Sequence, residues 1–135
     1  ICNGFQALIK LGLVPYGRIQ AISDTDPTLT FNTLGRHVSR MVYTRVASIK
    51  SPWLAGCAAG EIHCVPVSHG CLLYPSGDIL WNPNGSVCAV EGITSPDGRV
   101  LGKMGHSERS GEEVYRNVPG EKDQKLFRSG VQYFA

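Results

Sequence analysis

The sequence has no long hydrophobic run. Its longest apolar stretch, Ala7 to Tyr16, is broken by Lys10, Gly12 and Pro15, well short of the roughly 20 apolar residues that a membrane-spanning helix needs. No charged region followed by an apolar one opens the chain, so a signal peptide is not expected. Charge is scarce as well: 13 Lys and Arg stand against 11 Asp and Glu, a net +2. That balance leaves no electrostatic footprint for a nucleic acid or a membrane surface. Neither of the glycine-rich phosphate loops, G-x-x-x-x-G-K-S/T and G-x-G-x-x-G, occurs. Cysteine is sparse, with Cys2, Cys57, Cys64, Cys71 and Cys88 irregularly spaced and no C-x-x-C pair among them. An odd set at about 4% of residues is too thin for a disulfide scaffold, so free thiols in a cytoplasmic compartment are expected. There is no initiator Met and no repeat. The chain opens on Ile1-Cys2, as a processed product or a fragment would.

What is present suits one globular domain. The chain has 135 residues, 42% of them apolar, with 16 glycines, and that length can bury a core unaided. Phe5, Leu8, Ile9 and Gly12 repeat at helical spacing, so Asn3 to Gly12 reads as a helix that Gly12 and Pro15 end. Asp24 to Pro27 is a turn. Leu29 to Asn32, Val38 to Ala47, Ile62 to Val67 and Ile79 to Trp81 read as strands. Asn82-Pro83-Asn84-Gly85 is a turn. Val87 to Thr94 and Arg99 to Met104 form an expected hairpin around Ser95-Pro96-Asp97-Gly98. From Ser110 the pattern turns helical, most clearly over Asp123 to Tyr133. A helix, many strands and terminal helices give an α/β or α+β class with a mixed sheet flanked by helices.

Three groups of residues carry candidate chemistry. Cys2 precedes Asn3-Gly4 and a helix start, whose unpaired N–H groups and partial positive charge favour a thiolate. Cys-Asn-Gly resembles the second half of a nucleophile elbow, where a small residue permits a tight strand-to-helix turn. A cysteine beside a glycine is also a common structural pattern. A cysteine nucleophile needs a base, and the base an orienter. His106 follows an expected strand, and in extended chain Glu108 lies on the same side of it, placed to hold the imidazole tautomer. A surface His-x-Glu pair would read the same way. The third group, Cys57, His63, Cys64, His69 and Cys71, has zinc-ligand types. Its spacing lacks a ligand pair, and His63 and Cys64 are adjacent on a strand and face opposite sides. No metal is expected. His37 has no obvious partner.

The ordered motifs carry a family resemblance. Ile1-Cys2-Asn3-Gly4-Phe5-Gln6 resembles the nucleophile segment of class I, triad-type glutamine amidotransferases. Asn32 to Arg40, Val67-Ser68-His69-Gly70, Asn82 to Ser86 and Gly98 to Arg109 follow in order. The set is similar to the C-terminal amidotransferase domain of the phosphoribosylformylglycinamidine synthases of de novo purine biosynthesis. The resemblance implies a flavodoxin-like α/β domain and a Cys2-His106-Glu108 triad that hydrolyses glutamine. It also implies an oxyanion donor at the backbone N–H of Asn3, and Gln6 and Asn32 against the substrate. Arg40 matches the pattern too. Ammonia would pass to a separate synthetase domain, which uses ATP and Mg²⁺ to convert formylglycinamide ribonucleotide; this chain would itself carry no cofactor. Family domains begin well before the nucleophile, with strands and a glycine-rich oxyanion loop. Residues 1–135 are therefore expected to be the latter part of such a domain. The family also continues Ser-His-Gly with Glu-Gly and a longer segment, where this chain has Cys71-Leu72-Leu73 and a short run. A non-catalytic structural or docking fragment of the same enzyme is the alternative expectation.

Overall fold

The computed structural model describes residues 1–32, 34–73 and 84–135. Helix α1 spans Asn3–Lys10. It buries Phe5 and Ile9, four apart on one face, and Leu8 packs beside them. A short helical turn α2, Leu13–Tyr16, brings in the buried Val14. Strands β1 (Leu29–Phe31), β2 (Val38–Arg45), β3 (Ile62–His69) and β4 (Cys71–Leu73) follow, then β5 (Gly92–Thr94) and β6 (Leu101–Lys103). One-turn 3₁₀ segments lie at Pro52–Leu54 and Val87–Ala89. Helix α3, Leu126–Phe134, closes the order. No helix among the described residues is long and apolar enough to cross a membrane.

The architecture is mixed α/β, as expected, but the pairing recorded among the described residues is antiparallel throughout. Three two-stranded ladders form: β1 with β4, β2 with β3, and β5 with β6. The reason is connectivity. Parallel neighbours need a crossover of a dozen or more residues, usually a helix, and no α-helix separates β1 to β6 among the described residues. The first two ladders run on from each other. Phe31 opposes Cys71, Asn32 donates its N–H to Gly70 O at 2.8 Å, and Val38 opposes His69. Leu34 to His37 stand outside this ladder as a loop.

Two apolar clusters hold these elements. Phe5, Ile9, Val14 and Met104 form one, with Leu29, Ile93 and Val100 against it. Val42, Val65 and Val67 form the other. Helix α1 seats on β6 through Gly102: a Cβ there would stand 2.2 Å from Phe5 Cδ2. Helix α3 seats on the Pro52–Leu54 turn in the same manner, with Gly130 under Trp53.

Three sequence expectations change. The strand foreseen from Val87 begins only at Gly92. Ala89 and Val90 donate locally to Ser86 O and Val87 O, and Cys88 and Ala89 take positive φ, which coils the segment. The helix foreseen from Ser110 is a string of turns up to Lys125. Val114 bonds Gly111 O and Val118 bonds Tyr115 O, and Pro119-Gly120 interrupts any helical ladder. Only Leu126 onward is helical. The helix at Asn3 ends at Lys10, two residues early. The strand expected over Ile79–Trp81, and Asn82-Pro83 of the following turn, lie outside the described residues.

Candidate active site

Cys2 occupies the N-cap of α1 with φ 52° and ψ −114°, a conformation that costs a non-glycine residue about 1–3 kcal/mol. Its N–H donates to Lys103 O at 2.8 Å, and its carbonyl accepts the first helical bond, from Gln6 N at 3.1 Å. The thiol thus stands on a sharp turn between the end of β6 and the start of a helix. Its Sγ lies 4.0 Å from Asn3 Oδ1. Asn3 is the first residue of α1, where N–H groups have no acceptor within the helix.

β6 leads from Lys103 to His106. The imidazole is buried, and its Nδ1 lies 2.5 Å from Glu108 Oε1. The contact forms in a turn rather than in extended chain: Arg109 N bonds His106 O at 3.1 Å, so the backbone curls and the two side chains meet. His106 N–H in turn donates to Pro66 O at 2.8 Å, which ties the turn to the edge of β3. Partial burial pushes the Glu108 carboxyl up. The His106 hydrogen bond, Glu108's own backbone N–H and the charges of His106 and Arg109 outweigh it, so the group sits below the usual carboxylate value. An ionised Glu108 accepts a hydrogen bond from Nδ1–H and leaves the lone pair on Nε2.

Sequence reasoning did not foresee what braces this segment. Lys103 is buried and donates to Ser107 Oγ at 2.6 Å and to Gln124 Oε1. Its Nζ is 3.7 Å from Glu91 Oε2, and the other Glu91 oxygen accepts Gly105 N–H at 2.5 Å. The partners lie 4 to 21 positions from Lys103 or Gly105 in a fold-dependent arrangement, so no local spacing announced them.

Gln6 lies one turn after Cys2 on α1, and its Nε2 donates to Cys71 Sγ at 2.9 Å. Asn32 is buried. Its Nδ2 donates to Arg36 O and to Asn84 Oδ1, both at 2.8 Å, and its Oδ1 has no partner among the described residues. Asn84 Nδ2 stands 3.5 Å from His69 Nε2, and His69 Nδ1 bonds Cys71 O at 2.9 Å. A chain of polar contacts therefore runs from the loop after β1 through Asn84 and His69 to Cys71, whose thiol meets Gln6. Burial holds the His69 pKa below its ordinary value, with His106 and His37 adding to the effect and Glu91 and the Cys71 carbonyl opposing it. Neutral His69 donates through Nδ1 and accepts through Nε2. An open cleft of about 230 Å³ beside Ser107 and Glu108 is walled by residues 123–128; Cys2 does not line it.

The five residues of zinc-ligand type do not assemble. His69 and Cys71 belong to the polar chain just described. Cys64 is buried beside Tyr43 and the backbone of Gly120. Cys57 and His63 meet elsewhere, with Glu61. His37 lies on the surface, 3.0 Å from Ser68 Oγ.

The chain matches the CobB/CobQ-like glutamine amidotransferase domain over residues 1–76 and 73–134. The two pieces join where the sequence after Gly70 is short. It is 31% identical to the phosphoribosylformylglycinamidine synthase subunit PurQ of Symbiobacterium thermophilum, over 98% of this chain and 61% of that protein. The subunit of the same name in Methanopyrus kandleri is 30% identical, over 98% and 62%. Among solved structures, a chain of PurLQS from Thermotoga maritima superposes with a TM-score of 0.73 at 26% identity, over 98% of this chain and 59% of that one. The chain thus spans about three-fifths of the length of the curated relatives it matches.

Proposed function

The chain belongs to the CobB/CobQ-like glutamine amidotransferase domain family, and from that membership we propose that it is the glutamine-hydrolysing part of a phosphoribosylformylglycinamidine synthase. The observation that carries the reading is the thiol of Cys2 on a strained turn bonded to Lys103 O, three residues before a His106–Glu108 pair.

In this reading His106 Nε2 takes the Cys2 thiol proton as Sγ attacks the side-chain carboxamide carbon of glutamine. The carbonyl oxygen becomes an oxyanion and accepts from Asn3 N–H. The tetrahedral adduct collapses as His106 returns the proton to the leaving nitrogen, which releases ammonia and a γ-glutamyl thioester. A water then gives a proton to His106 and attacks the thioester; glutamate leaves and the thiol is restored. Glu108 keeps the imidazole in one tautomer throughout. Gln6 and Asn32 hold the substrate's polar groups. Ammonia passes to a synthetase partner, whose ATP and Mg²⁺ supply the activation of formylglycinamide ribonucleotide. PurQ relatives are named as subunits of that synthase, which supports the partner. The reaction belongs to the cytoplasm, in keeping with five free cysteines.

A glutamine-analogue diazo-ketone, incubated with the enzyme containing this chain, should alkylate Cys2 alone by mass spectrometry. Labelling elsewhere, with glutamine-dependent activity kept in Cys2→Ala, overturns the proposal. A second reading is a non-catalytic structural or docking fragment of the same enzyme. An ammonia-release assay separates the two, since glutaminase turnover by the 135-residue chain excludes the fragment.

A further inference from the structure

We propose that Cys57, Glu61 and His63 form a site for one divalent metal ion of the zinc type. The three residues lie at the end of the connection between β2 and β3 and at the start of β3. Cys57 follows the Pro52–Leu54 turn, Glu61 precedes β3, and His63 is its second residue. Each offers one ligand atom, and these atoms all lie within 4.8 Å of one another. A tetrahedral zinc with bonds of roughly 2.0 to 2.3 Å holds its ligands about 3.6 Å apart, so closure asks for a movement of about 1 Å or less.

His63 supplies the independent observation. Its side chain is fully buried, yet neither ring nitrogen makes a hydrogen bond among the described residues. Nε2 is 3.0 Å from Glu61 Oε1, close enough for an ion pair but without the alignment of a hydrogen bond. Buried imidazoles almost always have partners; this ring has only the Glu61 carboxylate, whose contact with Nε2 also lowers the carboxyl, and a thiol within 4.8 Å, so it stands among donors as a ligand does. Glu61 is already fixed: its Oε2 accepts Ala58 N–H at 2.7 Å, which leaves Oε1 directed to the centre. The Ala58 bond, above all, holds the carboxyl below its usual value against partial burial.

The donor set selects the ion. Thiolate, imidazole and carboxylate together suit zinc and its neighbours and not calcium or magnesium, which prefer oxygen alone. One thiolate and one carboxylate neutralise a divalent cation, so the half-buried centre carries no net charge. Lys125 and Asp123 lie nearby with opposite signs. The free thiol now points its proton at Gln124 O, 3.1 Å away, and burial pushes its pKa up. Metal binding replaces the S–H bond by a metal–sulfur bond and releases that proton to solvent. Water completes the fourth position. The bound ion would close the 57–63 turn and anchor it beside Gln124, whose side chain bonds Lys103 and Ser107.

The 135-residue chain, stripped with a chelator, should take up one Zn²⁺ in competition with a chromophoric chelator and release one proton per ion. Co²⁺ in its place should give a thiolate charge-transfer band and the intense visible bands of a four-coordinate ion. Cys57→Ser should weaken binding by at least about 100-fold and abolish the charge-transfer band, the cost expected when a ligand is lost rather than its outer partner. Glu61→Gln, on a partly exposed side chain, should weaken it at least about tenfold. Cys2→Ser and Cys71→Ser should leave it unchanged. No stoichiometric ion, affinity indifferent to both Cys57→Ser and Glu61→Gln, or loss of the ion in Cys2→Ser each overturns the proposal.

Discussion

The backbone N–H of Cys2 donates to the carbonyl of Lys103 at 2.8 Å. One hydrogen bond thus joins the residue that opens α1 to the strand that delivers His106. Their relative placement depends on how closely α1 lies on β6, and Gly102 sets that spacing, because any Cβ would overlap the Phe5 ring. Gly102→Ala should destabilise the chain by about 1–3 kcal/mol, the usual cost of overpacking. On the proposed mechanism it should also reduce glutamine hydrolysis by on the order of 100-fold, by displacing the Cys2 thiol from His106. Denaturant unfolding and ammonia release measure the two effects. Wild-type stability in this variant would show that the ring moves aside freely.

The His106–Glu108 contact predicts a pH effect. The Glu108 carboxyl is lowered in the fold, so its contribution is present above the unfolded carboxylate value near 4.5 and is lost as pH falls through the lower folded value. Glu108→Gln should flatten the pH dependence of stability over that acid window, because it removes a contribution that is full near pH 7 and already absent at low pH. On the proposed mechanism Glu108 orients the imidazole, so hydrolysis in the same variant should fall by about 10²-fold or more. Unfolding midpoints between pH 3 and 5 (about the window given by the direction of the shift), with kcat at neutral pH, test both.

His69 acts in the same direction at higher pH. Burial lowers its pKa below 6.5, so on acidification the unfolded chain takes up this proton before the folded one does. The stability this gives is present above the unfolded value and falls as pH drops below it toward the folded pKa. His69→Gln keeps a donor and an acceptor and removes the titration. Its unfolding midpoint should vary less with pH below about 6.5 than that of the parent chain. An unchanged pH slope would show that His69 protonates without penalty.

Helix α3 offers a test remote from the chemistry. Gly130 lies against the Trp53 ring, 2.2 Å from Cζ3 at the position a Cβ would take, and Trp53 Nε1 bonds Arg99 O at 2.8 Å. Gly130→Ala should lift the helix, cost about 1–3 kcal/mol and alter tryptophan fluorescence. If Trp53 emission and the unfolding midpoint both stay fixed, the ring has another place to go.

Local pattern made part of this molecule legible. Phe5 and Ile9 marked α1 because a helix repeats its buried face every three to four residues. The strands β1 to β3 read from their Val, Thr and Tyr content, and Ser95-Pro96-Asp97-Gly98 announced its turn. His106 and Glu108 were readable as a pair two residues apart, although a turn and not extended chain unites them. Other features depend on distant partners. Glu91 reaches Gly105 across 14 positions, Asn32 reaches Asn84 across 52, and Gln6 reaches Cys71 across 65. No periodicity encodes such contacts. The apolar run from Val87 misled because its backbone groups are satisfied locally, which residue type alone does not reveal. Glu61 carries no signal of its own, because its spacing from Cys57 and His63 repeats no metal-ligand pair.

The passage from β3 through Gly70 into β4 has one further consequence. Asn32 and Val38 meet that run on neighbouring rungs, at Gly70 and His69, so the mouth of the intervening loop is clamped at the width of a single step. Residues can be gained or lost inside the loop without shifting the strands by one position and turning every buried side chain outward.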